Sequence, residues 1–372
     1  MKNVYININF YKKMSIFDII PYLYHTEIIT SNELISLAVI DKNMKNIIYE
    51  LKLNNTVKVN LAYIDEDATI IRYFNCQNVF FESSIIFDYK FNMFNNISKI
   101  IFDDCKTVTD ATLDHISRFN LHTLVIIQQN MRFSLSSLTN KPKTLKLDIY
   151  INEENMEYIA NNQFVKSLDL SNCEIAPEIK SIFTCVQLEH LELENTTPLN
   201  ISLKNLNNLV FLNLMNAVIN DEYLKYLPNS LETLNLSNTN INSLDNLECF
   251  NLIELYIDNT YIENINNIYK FTQLERLYIN YTINIDDEYI YHYIPNMKYE
   301  ALHELSKLQN LSVLDISGCI YHEKQLKFLE NLYLHKLFVN TIPMTNQGLS
   351  YLYNVKNIFF SQKEHKSLLF DN

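Results

Sequence analysis

The sequence predicts an α/β solenoid, a right-handed coil of short repeats in which each turn gives one strand to a continuous parallel sheet. Three observations carry this. First, residues 231–280 hold three copies of L-x-x-L-x-[LI]-x-x-T, starting at Leu231, Leu252 and Leu274, at intervals of 21 and 22 residues. Four fixed positions recurring at a nearly fixed interval are the mark of a repeat array. Second, the inner L-x-L alternation is the period of a strand with one buried face. Third, 372 residues with 48% hydrophobic content provide ample apolar surface for a long core.

Taken in order, residues 1–14 read as a lead-in, with a short strand at VYININF. From residue 15 to 53 the pattern changes to helix. Ile16, Ile19, Ile20 and Leu23 fall at helical spacing, with Pro21 shortening or kinking that helix. Ser31 or Asn32 offers an N-cap before Glu33. Leu34, Leu37 and Ala38 then share one face, and Met44, Ile47, Ile48 and Leu51 the next. Residues 57–96 show strand-like alternation and read as degenerate first repeats. From 97 to 372 the register is traceable, with units starting near Ile97, Leu121, Pro142, Val165, Leu188, Leu209, Leu231, Leu252, Leu274, Leu311, Leu334 and Val355. Their spacing is 21 to 24 residues except between Leu274 and Leu311, where it is 37. That excess places an insert near 283–300, either a protruding loop at the rim of the sheet or an irregular repeat.

These units resemble leucine-rich repeats, and the likeness implies a curved stack with the sheet on its concave side. A single unit cannot bury its own apolar face, so stability comes from neighbours. The return limb, a short helix or 3-10 segment, is bulkier than the strand and bends the array. The ninth position is Cys105, Cys173, Thr196, Thr239, Thr260, Thr282 or Cys319 in the clearest units. A hydroxyl or small thiol there suits a tight buried turn, so these cysteines read as core and not as metal or redox sites.

The segment NELISLAVIDKNMKNIIYEL resembles an F-box, the small helical unit that docks onto the Skp-type linker of cullin-based ubiquitin ligases. By that resemblance Leu34, Leu37, Val39, Ile47 and Ile48 would carry linker docking. The unit ISKIIFDDCKTVTDATLDHI resembles the cysteine-containing repeats of F-box leucine-rich repeat proteins, with Cys105 ending the strand and Thr109-Asp110 starting the helical half. Departures from the F-box pattern are the missing Leu-Pro dipeptide, the missing Trp in the last helix and a longer loop at YHTEIITS. The alternative for 15–53 is a helical cap closing the apolar end of the stack, which every solenoid needs.

Composition narrows function. A net charge of −13 disfavours a nucleic-acid backbone or an anionic membrane as partner. Only Gly318 and Gly348 occur, which excludes glycine-rich phosphate loops. Six cysteines without C-x-x-C spacing, and no 18-residue apolar run, point to a reducing intracellular compartment, the cytoplasm, with no metal site and no membrane span. The Asn, Ile, Lys and Tyr bias fits an AT-rich genome, as in a large DNA virus or certain protists; for a virus, the compartment is the host cytoplasm. No catalytic constellation or cofactor motif emerges: His190 and His335 have no matched second ligand or nucleophile nearby.

The informative surface is the concave column between the second and third pattern positions: Asp169, Glu192, Asn213, Asn235, Tyr256, Tyr278, Asp315 and Phe338. His190, Phe211, Met215, Glu254, Asp258, Arg276 and Lys336 flank it. Tyr256 and Tyr278 are expected on adjacent strands, as anchors for a protein partner or as a cross-strand pair that only stabilises the sheet. The expected function is therefore a non-enzymatic protein-interaction adaptor, with a ubiquitin-ligase link through 15–53. The alternatives are a plain intracellular scaffold, or a regulatory or inhibitory subunit that holds another enzyme.

Overall fold

A computed structural model describes residues 56–58, 77–82, 94, 96–105, 108–127, 133–176, 187–196, 202–281, 301–319, 323–339, 344–360 and 368–369. The chain divides into two compact units, residues 1–149 and 150–372.

In the first unit, β1 (Thr56–Lys58), β2 (Asn78–Glu82), β3 (Lys99–Asp103), β4 (Thr123–Ile127) and β5 (Thr144–Asp148) pair in parallel, each with the next in the chain. Alternate residues of β2 and β3, Val79, Phe81, Ile100 and Phe102, are fully buried. Phe81 stacks on Phe102 across the two strands at 5.3 Å, with the rings 14° apart. Helix α1 (Asp110–Ile116) returns the chain from β3 to β4. It starts where the Thr-Asp pair predicts: Thr109 is the N-cap, and its backbone N–H donates to the Thr112 hydroxyl at 3.0 Å.

The second unit repeats the design with shorter strands. Its sheet runs β7 (Ser167–Asp169), β9 (His190–Glu192), β10 (Phe211–Asn213), β11 (Thr233–Asn235), β12 (Glu254–Tyr256), β13 (Arg276–Tyr278), β14 (Val313–Asp315), β15 (Lys336–Phe338) and β16 (Asn357–Phe359). All of these pair in parallel, and β17 (Leu368–Leu369) adds an antiparallel edge to β16. A small second ladder joins β6 (Tyr150–Ile151) to β8 (Glu174–Ile175). The fold is a leucine-rich repeat solenoid, and every one of the twelve unit starts from Ile97 onward is followed two residues later by a strand. The 37-residue interval leaves the pairing intact: β13 and β14 lie side by side, with Arg276 opposite Val313.

The return limbs differ from unit to unit. The 24-residue unit at Ile97 and the 23-residue unit at Pro142 accommodate α-helices, α1 and α2 (Glu153–Asn161). Units at Leu209, Leu252 and Leu311 return through 3-10 turns, at Asp221–Tyr226, Ile268–Lys270 and Glu323–Leu329. Two short helices, α3 (Ala301–Leu305) and α4 (Asn346–Ser350), serve the last units. Under the sheet the first, fourth and sixth pattern residues form the core; Leu231, Leu234, Leu236 and their counterparts from Leu252 to Ile279 are fully buried. Burial of each such side chain contributes about 1.5–3 kcal/mol.

Two columns close each turn. At the eighth position Asp104, Asn172, Asn195, Asn216, Asn238 and Asn259 take φ between 48° and 64°, and Gly318 takes 78°. Asn and Asp tolerate this left-handed region better than other residues with a Cβ. The turn aims each backbone N–H at the next repeat, as in Asn195 to the Met215 carbonyl at 2.9 Å and Asn238 to the Asp258 carbonyl at 2.8 Å. At the ninth position the two residue types work differently. Thr196, Thr239 and Thr260 donate to the carbonyl three residues back, at 2.7, 2.6 and 3.0 Å. Cys105 and Cys319 instead reach the preceding repeat, donating to the Phe81 and Ile279 carbonyls at 3.3 and 2.9 Å. The four described cysteines, Cys105, Cys173, Cys249 and Cys319, are buried free thiols.

Candidate partner-binding face

On each strand of the second unit the residue between the two buried positions projects from the open face of the sheet, because side chains alternate along a strand. The sequence-derived column is in direct register. Asp169 pairs with Glu192, then Asn213, Asn235, Tyr256, Tyr278, Asp315 and Phe338 in unbroken order. The structure extends it by one residue, Phe359, opposite Phe338 on β16. The same fourth-residue offset from Val355 marks Phe359 in the sequence.

The column sorts into two chemistries. Asp169, Asn213, Asn235 and Asp315 each accept, at Oδ1, the backbone N–H two residues on: Ser171, Met215, Ser237 and Ser317, at 2.9, 3.0, 2.9 and 2.9 Å. A short side chain that bonds its own backbone in this way shapes the strand end. These four residues therefore do structural work beneath whatever else they touch. Asn213 also bridges sideways, its amide donating to Glu192 at 3.1 Å.

The aromatic members behave otherwise. Tyr256 and Tyr278 stack face to face at 4.4 Å between centroids, 5° from parallel, and both are half-buried. Phe338 and Phe359 repeat the arrangement at 4.6 Å and 15°. In the column beside them His190 lies 5.7 Å from Phe211. Next to the tyrosines, Glu254 holds two donors at one oxygen: the Tyr256 hydroxyl at 2.6 Å and Arg276 Nε at 3.2 Å. Burial first, then this carboxylate, pushes the Tyr256 hydroxyl above its ordinary range. Both tyrosines are therefore neutral rings at any physiological pH.

Beyond the tyrosine pair the face turns acidic. Asp258 accepts the Asn280 backbone N–H at 2.6 Å, and burial raises its carboxyl to about 6. Asp315 is raised by the same cause and adds to the shift of Asp258. The Cys319 thiol beneath is pushed well up, by burial and then by these two carboxylates. Neither aspartate has an ion-pair partner among the described residues.

Among the described residues no group of three His, Cys, Asp or Glu is placed to hold a metal ion, and no helix is long and apolar enough to cross a membrane. Leu34, Leu37, Val39, Ile47 and Ile48, and the insert near 283–300, lie outside the described residues.

No family model matches the chain, and no curated protein matches it. Solved structures do. The chain is similar to an internalin from Listeria monocytogenes, with a TM-score of 0.52 and 19% identity over 89% of this chain and 88% of that one. It is also similar to a chain of the mouse RP105/MD-1 complex, with a TM-score of 0.52 and 18% identity over 86% of this chain and 52% of that one. At such identities the likeness is one of fold.

Proposed function

We propose that this protein is a non-enzymatic interaction module that holds a protein partner against the open face of β9–β16. The observation that carries the proposal is the stacked Tyr256–Tyr278 pair, set half-buried in the middle of a continuous, in-register column. Such rings offer large, rigid contact area at low entropy cost, which is why Tyr recurs among interface anchors. Cross-strand stacking alone would contribute only about 0.2–1 kcal/mol. Replacing both rings by alanine therefore separates the two roles. Affinity purification with intact chain as bait should recover a partner that the Tyr256→Ala, Tyr278→Ala double variant retains at least tenfold less well, with little change in melting temperature. Equal recovery would return the pair to a purely structural role.

The finer reading makes this module the substrate-recognition subunit of a cullin-type ubiquitin ligase. It rests on the F-box-like run NELISLAVIDKNMKNIIYEL, with Leu34, Leu37, Val39, Ile47 and Ile48 as linker contacts. In that reading the intact chain brings down a Skp-type subunit and cullin, and a chain lacking residues 1–53 does not. If neither does, the module is a scaffold or a regulatory subunit, with 15–53 as a helical cap. The buried free thiols support placing its work inside the cell.

A further inference from the structure

The rim where the chain enters each strand carries its own column, the residue just after each unit start. In the second unit it reads Lys166, Glu189, Val210, Glu232, Ile253, Glu275, Ser312, His335 and Lys356. Earlier in the column charges are shared: Lys166 pairs with Glu189, and Glu275 stands 3.9 Å from Arg276. The last two units differ. His335 and Lys356 stand side by side, with the Lys356 backbone N–H donating to the Leu334 carbonyl at 2.8 Å and the Asn357 amide to the His335 carbonyl at 3.1 Å. Together with Lys336 on β15 they are exposed, and none of the three is in an ion pair among the described residues. Residues 331–360 contain no Asp or Glu, in a chain of net charge −13.

Two tyrosines share this corner. Tyr333 and Tyr353, 79% and 66% exposed, lie three and four residues before β15 and β16. Their loops are tied together, because the Asn354 amide donates to the Glu330 carbonyl at 2.9 Å. Both rings therefore stand in water on a fixed backbone. A single exposed aromatic is ordinary, but neighbours on one rigid edge mark a contact surface.

We propose that this corner receives an acidic segment of a protein partner, its carboxylates meeting His335, Lys336 and Lys356 and its apolar side chains lying on Tyr333 and Tyr353. The proposal goes beyond the Tyr256–Tyr278 face and stands with or without it. Charge complementarity selects the occupant: three nitrogen donors with no carboxylate among them attract an anion that the rest of an acidic chain repels. Exposed ion pairs contribute little on their own, so the tyrosines supply the contact area. Nucleic acid offers the same charge, but a backbone charged at every nucleotide suits a long basic track and not three isolated groups.

The test uses the intact chain at physiological ionic strength, where screening limits the reach of distant acidic residues to about 8 Å. The probe is a fluorescein-labelled twelve-residue Gly-Ser peptide with a central Glu-Leu-Glu-Glu-Leu-Glu, read by fluorescence anisotropy. Its counterparts carry Lys in place of Glu or Ser in place of Leu, and a labelled oligothymidylate of twelve nucleotides stands for nucleic acid. The acidic peptide should bind at least tenfold tighter than any of the three. Tyr333→Ala with Tyr353→Ala, and separately His335→Gln with Lys356→Gln, should each weaken it at least fivefold at an unchanged melting temperature, since all four side chains are exposed. Lys204→Gln with Lys225→Gln, exposed lysines elsewhere, should change nothing, and neither should Tyr256→Ala with Tyr278→Ala. The proposal fails if the acidic peptide does not bind, if any counterpart binds as tightly, or if the corner variants lose no more than these controls. Each such result leaves the Tyr256–Tyr278 reading intact, because that face is tested by capture of a partner and not by this peptide.

Discussion

At the scale of single residues, the positions that do most are not the most apolar ones. Gly318 shows this: its φ is +78°, and a Cβ there would lie 2.4 Å from the Tyr281 carbonyl oxygen. Gly318→Ala therefore meets both a strained backbone and a backbone clash, neither of which a side-chain rotation relieves. A loss of about 2–4 kcal/mol in denaturant unfolding is expected; a variant within 0.5 kcal/mol of wild type would show that the turn can shift. Asp258 works in the opposite direction. Its carboxyl titrates near 6 in the folded chain against 3.8 as the ordinary value, so the native state holds more protons between those pH values. By linkage, its contribution makes stability fall as pH rises from about 4 to about 6 and stay lower above that. Asp258→Asn keeps the hydrogen bond to Asn280 and removes the charge. It should raise stability at pH 7.5 by about 1–2 kcal/mol and flatten that part of the pH profile. Melting curves at pH 4, 5, 6 and 7.5 would decide it, and an unchanged profile would mean the carboxylate is better solvated than its burial implies.

At the scale of the repeat, what could be read from the sequence followed from periodicity. The L-x-x-L-x-L alternation fixes which side chains face the core. It therefore fixes the register of the whole column from Asp169 to Phe338, because a one-residue slip would turn every leucine outward. Phe359 was within reach of the same rule, but the last unit's weaker pattern hid it. The turn chemistry was less legible. The ninth position repeats as Thr or Cys, but the backbone requirement lies at the eighth, where Asn supplies left-handed backbone in five units. The sharing of that column between repeats, as in Asn195 donating to Asn172 at 2.8 Å and Asn259 to Asn238 at 3.0 Å, has no one-dimensional signature. Nor did the pattern reveal that Asp169, Asn213, Asn235 and Asp315 spend an oxygen on their own backbone. Such bonds depend on where the strand ends, and composition does not say. The eighth position makes its own prediction. Asn238→Gly should leave stability within about 0.5 kcal/mol, because Gly adopts the same φ freely. Asn238→Val should cost about 2 kcal/mol, because a β-branched side chain is strained there. Comparable losses in both variants would mean that the amide bond to Asn259, and not the backbone, is what the position supplies.

At the scale of the molecule, consequences follow from the fact that each strand of the second unit pairs only with its neighbours in the stack. In such an array stability is close to a sum of repeat and nearest-neighbour terms, so a whole repeat can leave without destroying the rest. The 21 residues from Leu231 to Asn251 form such a unit: their excision joins Ser230 to Leu252 and brings β12 to the place of β11. Leu255 would then pair with Leu212, and the Leu252 core position would take over from Leu231. The shortened chain should remain folded, with a cooperative melt at a somewhat lower temperature and an unchanged circular dichroism shape per residue. Removing 17 residues from the same start would instead leave a four-residue surplus, displacing the turn from the strand it serves. That chain should lose cooperativity or aggregate. If both deletions fold equally well, the units are not independent modules and the register is set from elsewhere. The first deletion also bears on binding. It keeps Tyr256 and Tyr278 together while changing what lies beside them, so a partner anchored on that pair alone should bind it as it binds the intact chain. A partner that spans the longer column from Glu192 to Phe338 should bind it less well. The loss of affinity on deletion measures how much of the face beyond the tyrosine pair a natural partner uses.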